Sequence, residues 1–324
     1  MLEVRTDLCF KELNDFFNYC ETVKNASEHT LYNYFRDLLL FFRYMKFIKN
    51  KAGAGQKITE ISITDINIDF IEKININDIY RYFDYLKISR NNSQRTIIRR
   101  SVSLKKFFKY LHLTMELIEN DPTEKLEFKA AKTEPVRFMD EKDCITLLNS
   151  ISGKNMERDY CILVIFINCG IRLSELVRLN DTDIKPDGTV TIKNRNTSRT
   201  IFFNSVCMEA LEEYNNFKVN FFKGKRYDHH AVFLGHGGKR LTGRWIEEIV
   251  KKRMKNAGFG DKGLSPNKLR HTSAIIMYRR GIDVDVMKDI LGHKEMSSMQ
   301  VYINPQPSQI ETAMKNNSVS RKKK

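Results

Sequence analysis

The 324-residue sequence has little of what usually interrupts helices: 15 glycines and 6 prolines. That scarcity points to helix-rich structure. No apolar run approaches the ~20 residues a membrane-spanning helix needs. The N-terminal MLEVRTDLCF lacks the continuous apolar stretch of a signal peptide. The six cysteines, Cys9, Cys20, Cys144, Cys161, Cys169 and Cys207, are scattered without a CxxC pair. That excludes a disulfide framework and fits a reducing cytoplasm, with Cys161 and Cys169 as small core residues. No phosphate-binding glycine loop, metal-ligand cluster or Ser/His/Asp set is visible. Acidic residues are outnumbered, 40 against 55 lysines and arginines, leaving a net charge of +15. A surplus of that size favours a polyanion, nucleic acid or an acidic membrane surface.

The hydrophobic pattern is helical along most of the chain. Leu8, Leu13, Phe16, Phe17 and Cys20 mark a first helix. Ser27 or Thr30 can cap a second, from about Leu31 to Met45, whose core stripe is Leu31, Phe35, Leu38, Phe42 and Met45. Arg36, Arg43 and Lys46 are expected on or beside its outer face. Residues 58–76 read as a short strand or an extended connection. Asn77 can cap a third helix, and Ser93 a fourth over Gln94 to Leu111. That fourth helix carries Arg95, Arg99, Arg100, Lys105, Lys106 and Lys109. Two basic helices in one small domain suggest a DNA clamp. Residues 116–137, with Pro122 and Pro135, read as a linker.

From 138 onward the pattern predicts a helix capped by Asp140, a strongly apolar helix over 157–169 ended by Gly170, and a β-hairpin over 189–203. Helices follow over 205–222, from Thr242 to Asn256, over 268–280 and over 283–291. A short strand is expected between the first and second of these, in the run before Gly235. A last short helix, about Ser308 to Met314, precedes a basic tail over 316–324.

Ser265 to Tyr302 concentrates residues with chemical potential: Arg270, His271, His293 and Tyr302. A guanidinium grips two phosphate oxygens and stays charged at any relevant pH. Arg270 and Arg172, from distant segments, are therefore candidates to clamp one phosphodiester. The plainer reading of Arg172 is an ion pair with Glu175. Lys193, where the hairpin turn begins, can protonate a leaving oxygen, or be an ordinary turn lysine. His271 and His293 can bind phosphate or exchange protons, or simply fill core and cap positions. A tyrosine attacks well only when its phenolate is stabilised or its proton removed.

Taken together, GIRLSELVRL at 170–179, the hairpin lysine, SPNKLRHT at 265–272 and LGHKEMSSMQVYIN at 291–304 resemble the tyrosine recombinase (phage integrase) family. So do SEHTLYNYFRDLLLFFRYM, SQRTIIRRSVSLKKFFKYL and FLGHGGKRLTGRWIEEIVKKRMKNAGF. The resemblance spans about residues 10–315. It implies a mainly α fold with a small β-hairpin. A helical, SAM-like core-binding domain would cover 1–115, and a mixed α/β catalytic domain 138–315. It implies Arg172 and Arg270 on the scissile phosphate, Lys193 as general acid, His293 in support and Tyr302 as nucleophile. A 3′-phosphotyrosyl link would conserve bond energy, so neither a nucleotide nor a metal is required.

The chain departs from the family at Asn267, where His or Lys is usual and where an amide cannot usefully take up a proton. Either Lys268 or His271 substitutes, or proton transfer runs through water. Arg195 lies close to the expected lysine position. The absence of an extra N-terminal module suggests Xer-type or compact transposon-type relatives. The resemblance further implies inverted-repeat DNA sites and a homotetramer docked through Ile310, Ala313 and Met314. A catalytically impaired DNA-binding regulator and a type IB topoisomerase remain as alternatives.

Overall fold

The computed structural model describes residues 5–49, 56–128, 137–193 and 198–292. The chain divides into two compact units, Met1–Thr133 and Glu134–Lys324. The hairpin turn with Arg195, His293, Tyr302, the expected C-terminal helix and the basic tail lie outside the described residues.

The first unit contains α1 (Lys11–Thr22), α2 (Glu28–Ile48), the short α3 (Ile68–Glu72), α4 (Ile76–Ile88) and α5 (Gln94–Lys109). Its helices start where polar side chains satisfy exposed backbone donors. The Thr30 N–H donates to Ser27 Oγ at 3.2 Å, and the Thr96 N–H donates to Ser93 Oγ at 3.3 Å. The third long helix begins two residues earlier than the sequence suggests. Asn75, not Asn77, is its cap, and Asp78 completes a reciprocal capping box. Residues 58–76 hold a single-turn 3-10 helix at Ile58–Glu60 and then α3, with no strand among the described residues.

The core of this unit is aromatic. Phe16, Phe41, Phe42, Phe107, Phe108 and Tyr82 are all buried. Phe42 and Phe107 meet edge-to-face with centroids 5.4 Å apart, an arrangement worth ~0.5–1.5 kcal/mol beyond area burial. α5 runs into a π-helical turn at Tyr110–Thr114. The chain then continues to feed the same core: Ile118 and Leu126 are buried in it, and Phe128 packs on its edge. The stretch read as a linker from 116 therefore belongs to the first unit as far as Phe128. Its charged residues masked two apolar anchors.

The second unit begins its helices with α6 (Glu141–Asn149), where the Asp143 N–H donates to Asp140 Oδ1 at 2.7 Å. α7 (Met156–Cys169) follows, and Cys161 to Phe166 are entirely buried. Burying each large apolar side chain of that run contributes ~1.5–3 kcal/mol. α7 packs against α9 (Ser205–Phe221) and α11 (Pro266–Arg279). Between α7 and α9 lie α8 (Leu173–Arg178) and the hairpin β1 (Thr189–Lys193) and β2 (Ser198–Phe202). The hairpin is antiparallel, with Val190 opposite Ile201 and Ile192 opposite Arg199. α10 (Gly243–Asn256) and α12 (Val284–Leu291) complete the described α-helices. The short strand expected before Gly235 forms only single bridges, Asn180 with Ala231 and Leu234 with Arg240.

Candidate active site

α7 ends because Gly170 takes a left-handed conformation, φ 57°. This reversal places Arg172 at the start of α8, where Glu175 caps it twice. The Arg172 N–H donates to Glu175 Oε2 at 2.9 Å, and Arg172 Nη1 donates to Glu175 Oε1 at 3.0 Å. The expected ion pair exists, and it does not remove Arg172 from the surface. Its side chain keeps 35% exposure while that of Glu175 has 1%.

Arg270 comes from the first turns of α11 and is buried. Its Nη1 donates to Gly170 O at 2.6 Å and its Nη2 to Leu291 O. Arg172 Nη2 donates to Gly292 O at 2.6 Å. Both guanidiniums are thus fixed by backbone carbonyls, which hold them without cancelling their charge. They line one cleft of about 700 Å³ together with Arg178, Asn267, His271 and Gly243. Three arginines facing one space make it an anion site.

Asn267 is exposed at the N-terminal end of α11, directly on this cleft. Of its two possible substitutes, Lys268 is turned away, with its ammonium donating to Gly263 O at 2.6 Å. His271 lines the cleft. Burial, reinforced by the neighbouring Arg270 and Lys268 charges, holds its imidazole below the usual pKa. The shift favours its neutral form, the one that can accept a proton. Lys193 sits at the end of β1, and its ammonium donates to Asp183 Oδ1 at 2.7 Å. It is not part of the cleft lining. Arg178 and Arg199 were missed as site residues from sequence. Arg178 closes the short helix that Arg172 opens, so the two arginines of one motif were a usable signal.

The basic residues of the first unit divide into two sets. Arg36, Arg95, Lys106 and Lys109 are exposed. Lys46 is not on an outer face: it is buried, and its ammonium donates to Asp65 Oδ1 at 2.6 Å and to Ser62 O at 3.0 Å. It follows Phe42 by four residues, so helical geometry puts it on the core stripe. Arg99 makes a bidentate pair with the buried Asp37 at 2.6 and 2.8 Å, and Arg100 approaches the same carboxylate at 3.5 Å. Arg43 Nε donates to Ile61 O at 2.9 Å, and Lys105 Nζ to Leu126 O at 2.6 Å. Arg36, Arg43, Arg99 and Arg100 nevertheless share a small cleft with Arg90.

Residues 137–309 match the model of the phage integrase family, and residues 13–113 match the SAM-like N-terminal domain of phage integrases. The chain belongs to the phage integrase family. It is a tyrosine recombinase, an enzyme that breaks and rejoins DNA strands at specific sites through a tyrosine. The recombinase is 37% identical to the tyrosine recombinase XerC of Caldanaerobacter subterraneus subsp. tengcongensis, over 98% of this chain and 91% of that protein. It is 28% identical to XerC of Leptospira interrogans serovar copenhageni, over 89% of this chain and 87% of that protein. Neither the topoisomerase nor the inactive-regulator alternative is favoured by these relatives.

The recombinase also shares the fold of the XerH site-specific recombinase bound to difH substrate. The TM-score is 0.66 and the identity 17%, over 93% of this chain and 84% of that one. The Tn1549 transposon integrase in complex with a circular intermediate DNA is similar at a TM-score of 0.64 and 18% identity, over 86% and 99% of the two chains. The mainly helical fold with one small hairpin, an N-terminal SAM-like domain and a catalytic domain is that of tyrosine recombinases.

Proposed function

We propose that Arg172 and Arg270 hold the scissile phosphate of a double-stranded DNA site while Tyr302 attacks it. The phosphorus–5′-oxygen bond breaks as the phosphotyrosyl bond forms. Lys193 gives a proton to the departing 5′ oxygen after exchanging Asp183 for the DNA, and His293 supports the phosphate. The phenolic proton leaves through His271 or water, because Asn267 cannot take it. A partner strand's 5′ hydroxyl then attacks the phosphotyrosyl link, restoring one phosphodiester for each one broken. This cycle needs no nucleotide and no metal. The observation that carries the reading is that Arg172 and Arg270, from separate motifs, line one cleft with Asn267 and His271.

The DNA sites are inverted-repeat half-sites held by a homotetramer in which residues 305–324 reach a neighbouring copy, with Ile310, Ala313 and Met314 as contacts. Exposed Arg36, Arg95, Lys106 and Lys109 of the first unit contact the DNA backbone. The enzyme acts in the cytoplasm, in integration, excision or dimer resolution; among the described residues no helix is long and apolar enough to cross a membrane.

A nicked suicide substrate tests this. The wild-type chain accumulates a covalent protein–DNA adduct on its cognate site, and Tyr302→Phe forms none. Arg172→Ala and Arg270→Ala each slow adduct formation by ~10²–10³, the usual loss for one preorganised transition-state donor. Adduct formation by Tyr302→Phe, or none by wild type on a footprinted site, sinks the assignment. Deleting residues 305–324 abolishes cooperative binding of two protomers in a gel-shift titration.

A further inference from the structure

Arg199 of β2 lies outside every motif considered above, yet it reaches the centre of the site. Its Nη1 donates to Glu175 Oε1 at 2.6 Å and its Nη2 to Glu175 Oε2 at 2.8 Å. Its Nε donates to Ile290 O at 2.9 Å. Three successive carbonyls at the end of α12, those of Ile290, Leu291 and Gly292, thus receive bonds from Arg199, Arg270 and Arg172 respectively. Gly292 is left-handed, φ 62°, and a Cβ there would stand 2.9 Å from Arg199 Nη1. The guanidinium is packed tightly beneath the helix end.

The charges are arranged in order of burial. The Glu175 side chain is 1% exposed, that of Arg199 13%, and that of Arg172 35%. Among the described residues one buried carboxylate therefore faces two guanidiniums, and of these two Arg172 is the one that lines the cleft. Paired with Arg172 alone, Glu175 would cancel the charge meant for phosphate, and bidentate geometry would draw Arg172 inward. With Arg199 behind it, the carboxylate is matched from the protein side. One positive charge is left over at the cleft wall, where low dielectric makes it count.

We infer that Arg199 is a positioning residue for DNA strand cleavage: it neutralises Glu175 so that Arg172 presents its charge to the scissile phosphate, and it ties the end of α12 to the same carboxylate. The inference rests on the assignment of Arg172 to the phosphate. It adds a link between the hairpin that carries Lys193 and the helix that leads to His293.

The test uses the full-length chain, a nicked suicide substrate for cleavage and a gel shift for binding. Arg199→Met should slow single-turnover adduct formation about 100-fold, the scale of one lost transition-state contact, with the gel-shift midpoint unchanged. The double variant Arg199→Met/Glu175→Gln removes one charge of each sign and restores the surplus. It should recover at least ~10-fold of the lost rate. A purely structural Arg199 gives the reverse order, with the double variant no faster than the single, and that outcome overturns the inference. So does wild-type cleavage by Arg199→Met.

Should Arg199→Met prove unfolded by circular dichroism, Arg199→Lys is read instead. One ammonium cannot span both carboxylate oxygens and the Ile290 carbonyl. A ~10-fold loss of cleavage at unchanged affinity then supports the role, and a wild-type rate removes it. An Arg172→Ala control separates the two levels. Its activity at the wild-type rate overturns the site assignment. Its inactivity beside an active Arg199→Met overturns Arg199 alone.

Discussion

Arg270 Nη1 donates to the carbonyl of Gly170 across one hundred residues of sequence, at 2.6 Å. The residue that ends α7 thereby also seats the arginine of α11. A side chain at position 170 would disturb both functions, because its Cβ would lie 2.7 Å from Leu291 Cδ2 and 3.1 Å from Ser273 Oγ.

Gly170→Ala is therefore expected to cost ~1–2 kcal/mol for the left-handed backbone alone, with further loss from the Leu291 contact. Urea denaturation should show the lower stability, and the suicide substrate a slower cleavage at conditions where the variant is folded. A variant as stable and active as wild type would show that the turn relaxes freely.

The buried Glu175 gives a pH signature. Despite the desolvation that raises it, hydrogen bonds from Arg199 and Arg172 hold its carboxyl down at about 2. Its folded pKa lies below the unfolded value, so the carboxylate stabilises the fold above about pH 4.5. That contribution, of order 3 kcal/mol for a shift of this size, is lost as pH falls from about 4.5 towards 2. Urea midpoints at pH 6, 4 and 3 should fall more steeply for wild type than for Glu175→Gln; parallel curves would contradict the ion-pair account.

Asp159 anchors the second unit. It accepts from Arg158 Nε at 3.0 Å and from Arg253 Nε at 2.8 Å, and all three side chains are buried. Asp159→Asn leaves two buried guanidiniums without their counter-ion, a loss of ~3–5 kcal/mol. Melting curves should place this variant well below wild type. A shift no larger than that of a surface substitution would show that water replaces the carboxylate.

The division of basic residues in the first unit predicts opposite phenotypes. Replacing Arg36, Arg95, Lys106 and Lys109 by alanine should reduce the salt dependence of DNA binding by up to ~0.9 in log–log slope per lost phosphate contact, with little change in melting. Lys46→Ala should leave the slope alone and lower stability, since it empties a buried position on the core stripe and removes the bonds to Asp65 and the Ser62 carbonyl. Fluorescence anisotropy across a salt series decides between them.

Much of this was legible from sequence. Helix boundaries at Asp140, Gly170 and Thr242 follow from cap chemistry that acts within a few residues, and the structure has caps at each. The two arginine motifs announced themselves by residue type. Less legible were the residues whose meaning depends on distant partners. Lys46 looks solvated until Asp65 arrives beside it, and Ile118 looks like linker until the aromatic core surrounds it. Arg199 left one local trace. It alternates with Ile201 on the buried face of the hairpin, opposite Ile192, where an unpaired charge would be costly. Only the fold shows that Glu175 is what receives it.

The carbonyl end of α12 has a last consequence, for selectivity among anions. The last turn of a helix carries partial negative charge, and here it already engages Arg172, Arg199 and Arg270. These carbonyls fix the guanidiniums without cancelling their charge, so free phosphate meets only the donors left facing the cleft. On the proposed function a duplex adds contacts to the first unit's exposed cations. Cleavage should accordingly be insensitive to phosphate added at constant ionic strength, and a competitive loss at low phosphate would show that the cleft alone holds the anion.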